Sequence, residues 1–407
     1  MRRAAWLSVL LTAGCSAPAA QPPASPEPSV SAQSMKQAAE EQDVRPWVGT
    51  WGTAVESGGR SFEKHTLRQI VHTSIGGGAA RIRLTNEFGT RPLVVGAVRL
   101  ARPVSGGTID PATDRAVTFG GRTSVTIPVG ETAVSDEVSF EVPADGDVAV
   151  STWLPSVTGP STRHGIAVQH NYVAGGDQAS APKLSGIRTE SSWFFLSGLD
   201  VRSDGGAVVA FGASITDGLG SRFGANVRWP DLLSDRLRKA GHEVGVLNAG
   251  ISGNRFTADD RGESGVNRFE RDVLSRPGVR WVIISDDALN DLGAADPPSV
   301  SRLTGTLRDL TARAHAAGVR VICSTLTPYQ GAGYWSARGE AGRAEINAFI
   351  RSGGSGCDFV LDQAAATQDP SAPTRFRREF DSGDHLHPSA AGFQAIADAA
   401  DLSWFTG

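Results

Sequence analysis

From about Trp47 to Leu199 the apolar positions fall in short runs broken by Gly, Pro, Asp and Asn: "LRQIVHTS", "GGG", "ARIRLTNEF", and later "VTIPV", "VSFEV", "VAVSTWL", "IAVQHNYV" and "SWFFLSGLDV". Val125, Ile127 and Val129 alternate with polar neighbours. Successive side chains of a strand face opposite ways, so this alternation predicts half-buried strands. With glycine-rich turns and no convincing helix, it predicts an all-β, jelly-roll-like sandwich over residues 46–204. From about Gly205 the period changes. "AVVAF", "EVGVLN", "WVII", "VRVICSTL" and "DFVL" read as five buried strands, separated by helical stretches such as "WPDLLSDRL" and "VSRLTGTLRDLTARAHAAG". Strands alternating with helices over 205–407 predict a parallel five-stranded sheet with helices on both faces, whose ligand crevice lies beyond the carboxyl ends of the strands.

The amino-terminal end follows neither pattern. Arg2 and Arg3 precede the apolar stretch "AAWLSVLLTAG" and Cys15, which reads as an export signal over residues 1–15. "LLTAGC" resembles the lipobox of bacterial lipoproteins, with Thr12 where a larger aliphatic residue is usual; an ordinary secretory signal remains the alternative to lipidation and membrane anchoring at Cys15. Residues 16–45, rich in Pro, Ala and Ser, lack the apolar surface to offset chain entropy and read as a linker. The expected location is therefore outside the cytoplasm, secreted or tethered to a membrane. Cys323 and Cys357 are expected to be free and buried, since extended parallel strands would hold them at different heights. A net charge of −4 without a long basic run argues against a nucleic-acid surface.

Candidate chemistry collects in the second half. Gly212-Ala213-Ser214 ends the first predicted strand and directs a hydroxyl toward the crevice, although Thr216 stands where a G-x-S-x-G elbow needs glycine. "NAGISGNR" follows the second strand, so the N–H of Gly250 or Gly253 can approach a ligand with no side chain in the way. "SDDALNDLG" follows the third and offers the Asn290 amide; Asp286, Asp287 and Asp291 beside it read as a solvated loop rather than a cation site. "DSGDHLHPS" precedes the last helix. Asp384 and His387 are three apart and Asp381 and His385 four apart, so spacing supports either as an Asp–His pair, and a metal site built from all four stays open. The sandwich histidines, His65, His72, His164 and His170, are scattered and read as strand-surface residues.

"FGASITDG", "GISGN", "LND" and "DHLHP", in this order, resemble the four blocks of the SGNH, or GDSL, hydrolases across about 205–400. The resemblance implies a flavodoxin-like three-layer α/β/α fold and ester hydrolysis without metal or cofactor. It implies Ser214 as nucleophile, His387 as base and Asp384 as its orienting acid, with Ser214, Gly253 and Asn290 as the oxyanion hole. Two positions depart from the family pattern: Ala213 replaces the aspartate of G-D-S, and Ala288 replaces the glycine of G-x-N-D, where a methyl group can tilt the Asn290 loop.

The arrangement resembles secreted bacterial GDSL-type esterases that carry a β-sandwich before the hydrolase. The expected activity is hydrolysis of carboxylic esters, small or borne on a polysaccharide, with acetyl esters of carbohydrates as one substrate class. Lipase-like or aryl esterase action on small lipophilic esters is a second reading, and a glycan-binding surface lipoprotein with a degenerate hydrolase half a third. Tyr329, Tyr334 and Trp335, in the loop "YQGAGYWSARGE" over 329–340, are candidates for lining the substrate pocket.

Overall fold

The structure, a computed structural model, describes residues 44–406; the export-signal, lipidation and linker expectations for residues 1–43 lie outside it. Five parallel strands, numbered here within their sheet, form the carboxyl-terminal layer: β1 (Gly206–Gly212), β2 (Val244–Gly250), β3 (Val279–Ile284), β4 (Arg320–Ser324) and β5 (Phe359–Leu361). Their spatial order is β2-β1-β3-β4-β5. The chain thus moves to one side of β1 and then crosses to the other, and such a switch point opens a crevice at the strand ends.

The flanking helices begin and end where local chemistry dictates. Trp229–Lys239 carries Pro230 in its first turn, where a missing N–H costs nothing, and buries Trp229, Leu233 and Leu237 four residues apart on one face. Val300–Ala316 starts at Ser299, whose side chain accepts from the Arg302 N–H, and buries Leu303, Leu307 and Leu310. A third helix, Ala337–Arg351, was not legible in the pattern; residues 337–340 of the expected aromatic loop are its first turn, capped by Ser336.

The amino-terminal part is a pair of antiparallel sheets. One places Leu196–Arg202 between Trp47–Gly52 and Gly77–Thr85; the other is centred on His65–Thr73 and Gly146–Leu154. Their inward apolar residues and those of the parallel sheet form one continuous buried cluster, from Val48 to Phe405. Residues 44–406 accordingly form one compact unit.

Polar atoms at the seam are paired. The Arg276 guanidinium donates to the carbonyls of Ser197 and Thr53, each at 2.9 Å, and the Gly49 N–H donates to Pro277 O at 3.0 Å. The strand Trp47–Gly52 packs along β2, ending in a parallel bridge between Thr53 and Asn248.

One expectation fails here. Cys323 and Cys357 form a disulfide, with Cα atoms 5.9 Å apart. The height argument assumed an extended approach to β5, but the chain bends at Asp358, whose N–H donates to Val321 O at 2.9 Å, and Cys357 swings back toward β4.

At Gly245 of β2 a Cβ would overlap the Gly49 carbonyl oxygen across the seam, an atom that cannot rotate away. Gly245→Ala is therefore expected to lower folding stability by about 1–3 kcal/mol, read as a fall in the urea unfolding midpoint at unchanged slope.

Candidate active site

Ser214 is the first residue of a four-residue helix, Ser214–Asp217, that starts where β1 ends. The opening N–H groups of a helix have no intrahelical partner. Here Asp286, just beyond β3, accepts from the Ala213 N–H at 3.0 Å and the Ile215 N–H at 2.9 Å. The Ser214 N–H lies between those two along the chain. The Thr216 hydroxyl also donates to Asp286, at 2.6 Å, so the residue that spoils the G-x-S-x-G pattern braces the same turn.

The Ser214 hydroxyl donates to His387 Nε2 at 2.9 Å. On the other side of the ring, Nδ1–H donates to Asp384 Oδ2 at 2.6 Å, which fixes the tautomer that leaves Nε2 free to accept. Asp384 Oδ1 accepts from the N–H groups of His387 and Leu386 at 2.8 and 2.9 Å. Partial burial alone would raise the Asp384 pKa. The hydrogen bonds from the His387 ring, its N–H and the Leu386 N–H outweigh that and hold the carboxyl well below its usual range.

The second pair also forms: His385 Nδ1 lies 2.6 Å from Asp381 Oδ2, but this ring is largely exposed and packs on Gly331. The four residues thus divide into two Asp–His pairs. Among the described residues no cluster of three or more His, Cys, Asp or Glu is arranged to hold a metal.

Gly253 has φ 85°, a left-handed conformation that a side chain would strain. Its turn is anchored by the preceding residue: Ser252 donates to Asp217 Oδ2 through its N–H at 3.0 Å and its hydroxyl at 2.6 Å. Asn290 sits in the helix Asp287–Leu292; one Nδ2–H donates to Asn254 O at 2.9 Å, and its Oδ1 accepts from the Tyr334 hydroxyl at 3.2 Å. These two contacts decide which way the amide faces and leave its second N–H available. Tyr334 is therefore at the site, whereas Tyr329 is fully buried in the core and Trp335 is half-buried beside it. Ala288 turns its methyl inward among Phe256, Leu303 and Leu307, away from the Asn290 amide, so the missing glycine is absorbed by packing.

Five residues had roles that were not legible in sequence. The aspartates read as a solvated loop are buried: besides Asp286, Asp291 accepts from the Phe256 N–H at 2.7 Å and the Thr257 hydroxyl at 2.6 Å, and Asp287 faces Arg268 at 3.3 Å. Desolvation pushes Asp287 up to about 7 despite that neighbour. Arg268, with no exposed side-chain surface, donates to Ala249 O at 2.7 Å, Gly212 O at 2.9 Å and Asn254 Oδ1 at 2.9 Å, tying the ends of β1 and β2 to the turn after Gly253. His164 is likewise not a strand-surface residue: it is buried, with Nε2 3.0 Å from Asp217 Oδ1.

Asp286→Ala removes the acceptor of two backbone donors and the Thr216 hydroxyl. If the Ser214 turn is the reacting element, ester turnover is expected to fall on the order of 10²-fold, the consequence of a nucleophile displaced by about 1 Å. Steady-state kinetics beside a thermal melt would check it, and an unchanged kcat would refute the bracing role.

Residues 210–395 match the GDSL-like Lipase/Acylhydrolase family. Similar solved structures include an aryl esterase from M. smegmatis, 18% identical, TM-score 0.40, covering 48% of this chain and 95% of that one. A carbohydrate acetylesterase from Sinorhizobium meliloti is 15% identical, TM-score 0.38, with coverage of 48% and 95%. A GDSL-like lipase from Bacteroides thetaiotaomicron is 17% identical, TM-score 0.36, with coverage of 47% and 84%. No curated protein matches the sequence. Residues 210–395 therefore carry a domain of the GDSL-like lipase/acylhydrolase type.

Proposed function

We propose that this protein is a serine esterase acting outside the cytoplasm on short-chain carboxylic esters, acetyl esters of carbohydrates among them. The observation that carries the reading is the unbroken path from the Ser214 hydroxyl to His387 Nε2 and from Nδ1–H to Asp384, at 2.9 and 2.6 Å. A serine hydroxyl is a weak nucleophile until a base removes its proton, and this arrangement supplies the base in the correct tautomer.

In the proposed reaction Ser214 Oγ attacks the ester carbonyl as its proton moves to His387 Nε2. Asp384 stabilises the resulting imidazolium. The oxyanion takes hydrogen bonds from the Ser214 and Gly253 N–H groups and the second Nδ2–H of Asn290. Collapse breaks the carbon–oxygen bond to the alcohol, which leaves with the proton from His387. Water, deprotonated by the same imidazole, then releases the acid and regenerates Ser214.

The unbroken path speaks against the reading of a degenerate hydrolase half. The Cys323–Cys357 disulfide supports the extracytoplasmic placement, since disulfides persist in oxidising compartments. Tyr334, pressed against Gly293 and bonded to Asn290, puts an aromatic wall beside the reacting centre and favours a small acyl group.

Ser214→Ala and His387→Ala are each expected to cut hydrolysis of p-nitrophenyl acetate on the order of 10⁴-fold or more, and His385→Ala to leave it nearly unchanged. A fluorophosphonate should label Ser214 in the unaltered protein. An unlabelled Ser214, or an active Ser214→Ala variant, removes the esterase assignment.

A further inference from the structure

We infer that the β-sandwich is a working part of the hydrolytic centre, because His164 holds, through Asp217, the turn that presents the Gly253 N–H. The inference rests on the esterase reading and assigns His164 as a positioning residue. It stands at 4% exposure on the short strand Arg163–His164, with its ring 5.5 Å from that of Trp193.

The atoms around this imidazole are all acceptors. Nδ1 is 3.0 Å from Ala54 O; Nε2 is 3.0 Å from Ile166 O and 3.0 Å from Asp217 Oδ1. A neutral imidazole has a single N–H, so one nitrogen would face a carbonyl or carboxylate lone pair to lone pair in the dry interior. The imidazolium satisfies both sides. The charged groups about the pair come from several elements: Asp217 from the nucleophile helix, Glu56 from the chain after the first sandwich strand, Arg163 bridged to Glu56 at 3.4 Å, and Arg228, which is close enough to feel the Asp217 charge. Burial lowers the His164 pKa, and Asp217 with Glu56 more than reverses this, holding it above its ordinary 6.5.

Asp217 is a two-sided clamp. It closes the helix that Ser214 opens, Oδ1 faces the sandwich imidazolium, and Oδ2 takes both donors of Ser252, one residue before Gly253. Without the cation, a carboxylate 1% exposed keeps only the Ser252 donors, and the Gly253 turn loses one of the two sides that hold it. Gly253 bonds to the oxyanion, which exists in the transition state and not in bound ester, so the loss falls on kcat rather than KM. For pH the sign follows from the raised pKa. The contribution of His164 is fully present below about 6.5, its unfolded value, and is lost as pH rises through the higher folded value. Activity in the unaltered protein should therefore decline on the alkaline side.

The test uses the full chain, p-nitrophenyl acetate and a profile from about pH 5 to about pH 10 for the unaltered protein, His164→Ala and His164→Gln, beside fluorophosphonate labelling and thermal melts. His164→Ala should lower kcat roughly 10-fold to 10²-fold with KM within about 2-fold, a partial form of losing one oxyanion donor. His164→Gln, which keeps an N–H toward Asp217 but cannot carry charge, should recover part of kcat, and both variants should lose the alkaline decline. Should His164→Ala fail to fold, His164→Gln and the unaltered profile carry the test. Labelled, active protein whose kcat shows no alkaline decline, or whose His164→Gln variant matches it at every pH, overturns this inference alone. Unlabelled, inactive protein overturns the esterase reading and this inference with it.

Discussion

A hydroxyl at the end of a β-strand reacts only as well as the turn beneath it is fixed, and the Ser214 turn is held between two buried carboxylates. Asp286 accepts at its start, from Ala213, Ile215 and Thr216; Asp217 closes its end and reaches Ser252 and His164. A buried anion is costly unless its lone pairs are filled by donors. Each of these two is filled by donors from segments far apart in sequence. Satisfying the carboxylates and assembling the site are therefore one requirement. Asn290, bonded to Asn254 O, closes the circuit from the β3 loop back to the β2 loop.

Beneath that circuit lies Arg268, whose planar fork reaches two strand-end carbonyls and the Asn254 side chain at once. Arg suits such a place because its donors are fixed in a plane and its charge does not titrate. Its face also lies over Phe211 of β1, 4.0 Å from the ring centroid. Replacing so buried a cation by an apolar group would strand Asp287 as well as the carbonyls, so the network serves to specify one arrangement of loops more than to add net stability.

The parts legible in sequence were those governed by local rules. Period and turn residues predicted the strands of the antiparallel part and the parallel sheet that follows, and spacing pointed to two Asp–His pairs, both of which form; the family blocks favoured Asp384–His387. What escaped was long-range and polar. Asp286 and Asp287 look solvent-exposed in "SDDALND" because nothing nearby in the chain reveals that Ala213, Ile215 and Arg268 fold over them. His164 lies 53 residues from its partner Asp217. Cys357 was misplaced for a different reason: a bend at one residue changed its height relative to β4, and bends of that kind leave no periodic trace. Ala288 was read as a threat to Asn290 because a family pattern tells which residue is unusual but not which way its methyl points.

The continuity of the core bears on how the sandwich can be studied. Excising residues before about 205 would take away His164, the strand that packs along β2 and the Thr53 and Ser197 carbonyls that pair with Arg276. β2 is an edge of the parallel sheet, and uncovering it would expose apolar surface together with unpaired backbone groups. A truncated hydrolase half would then lose activity for reasons of stability and site geometry, whatever the sandwich does with a polymer. Trp193 narrows the question further, since it is buried against Trp51 at 5.0 Å and cannot present a face to a polymer. Any recognition of a polymeric substrate by this half must come from its exposed surface, and only single-residue changes there, made with the seam intact, separate binding from assembly.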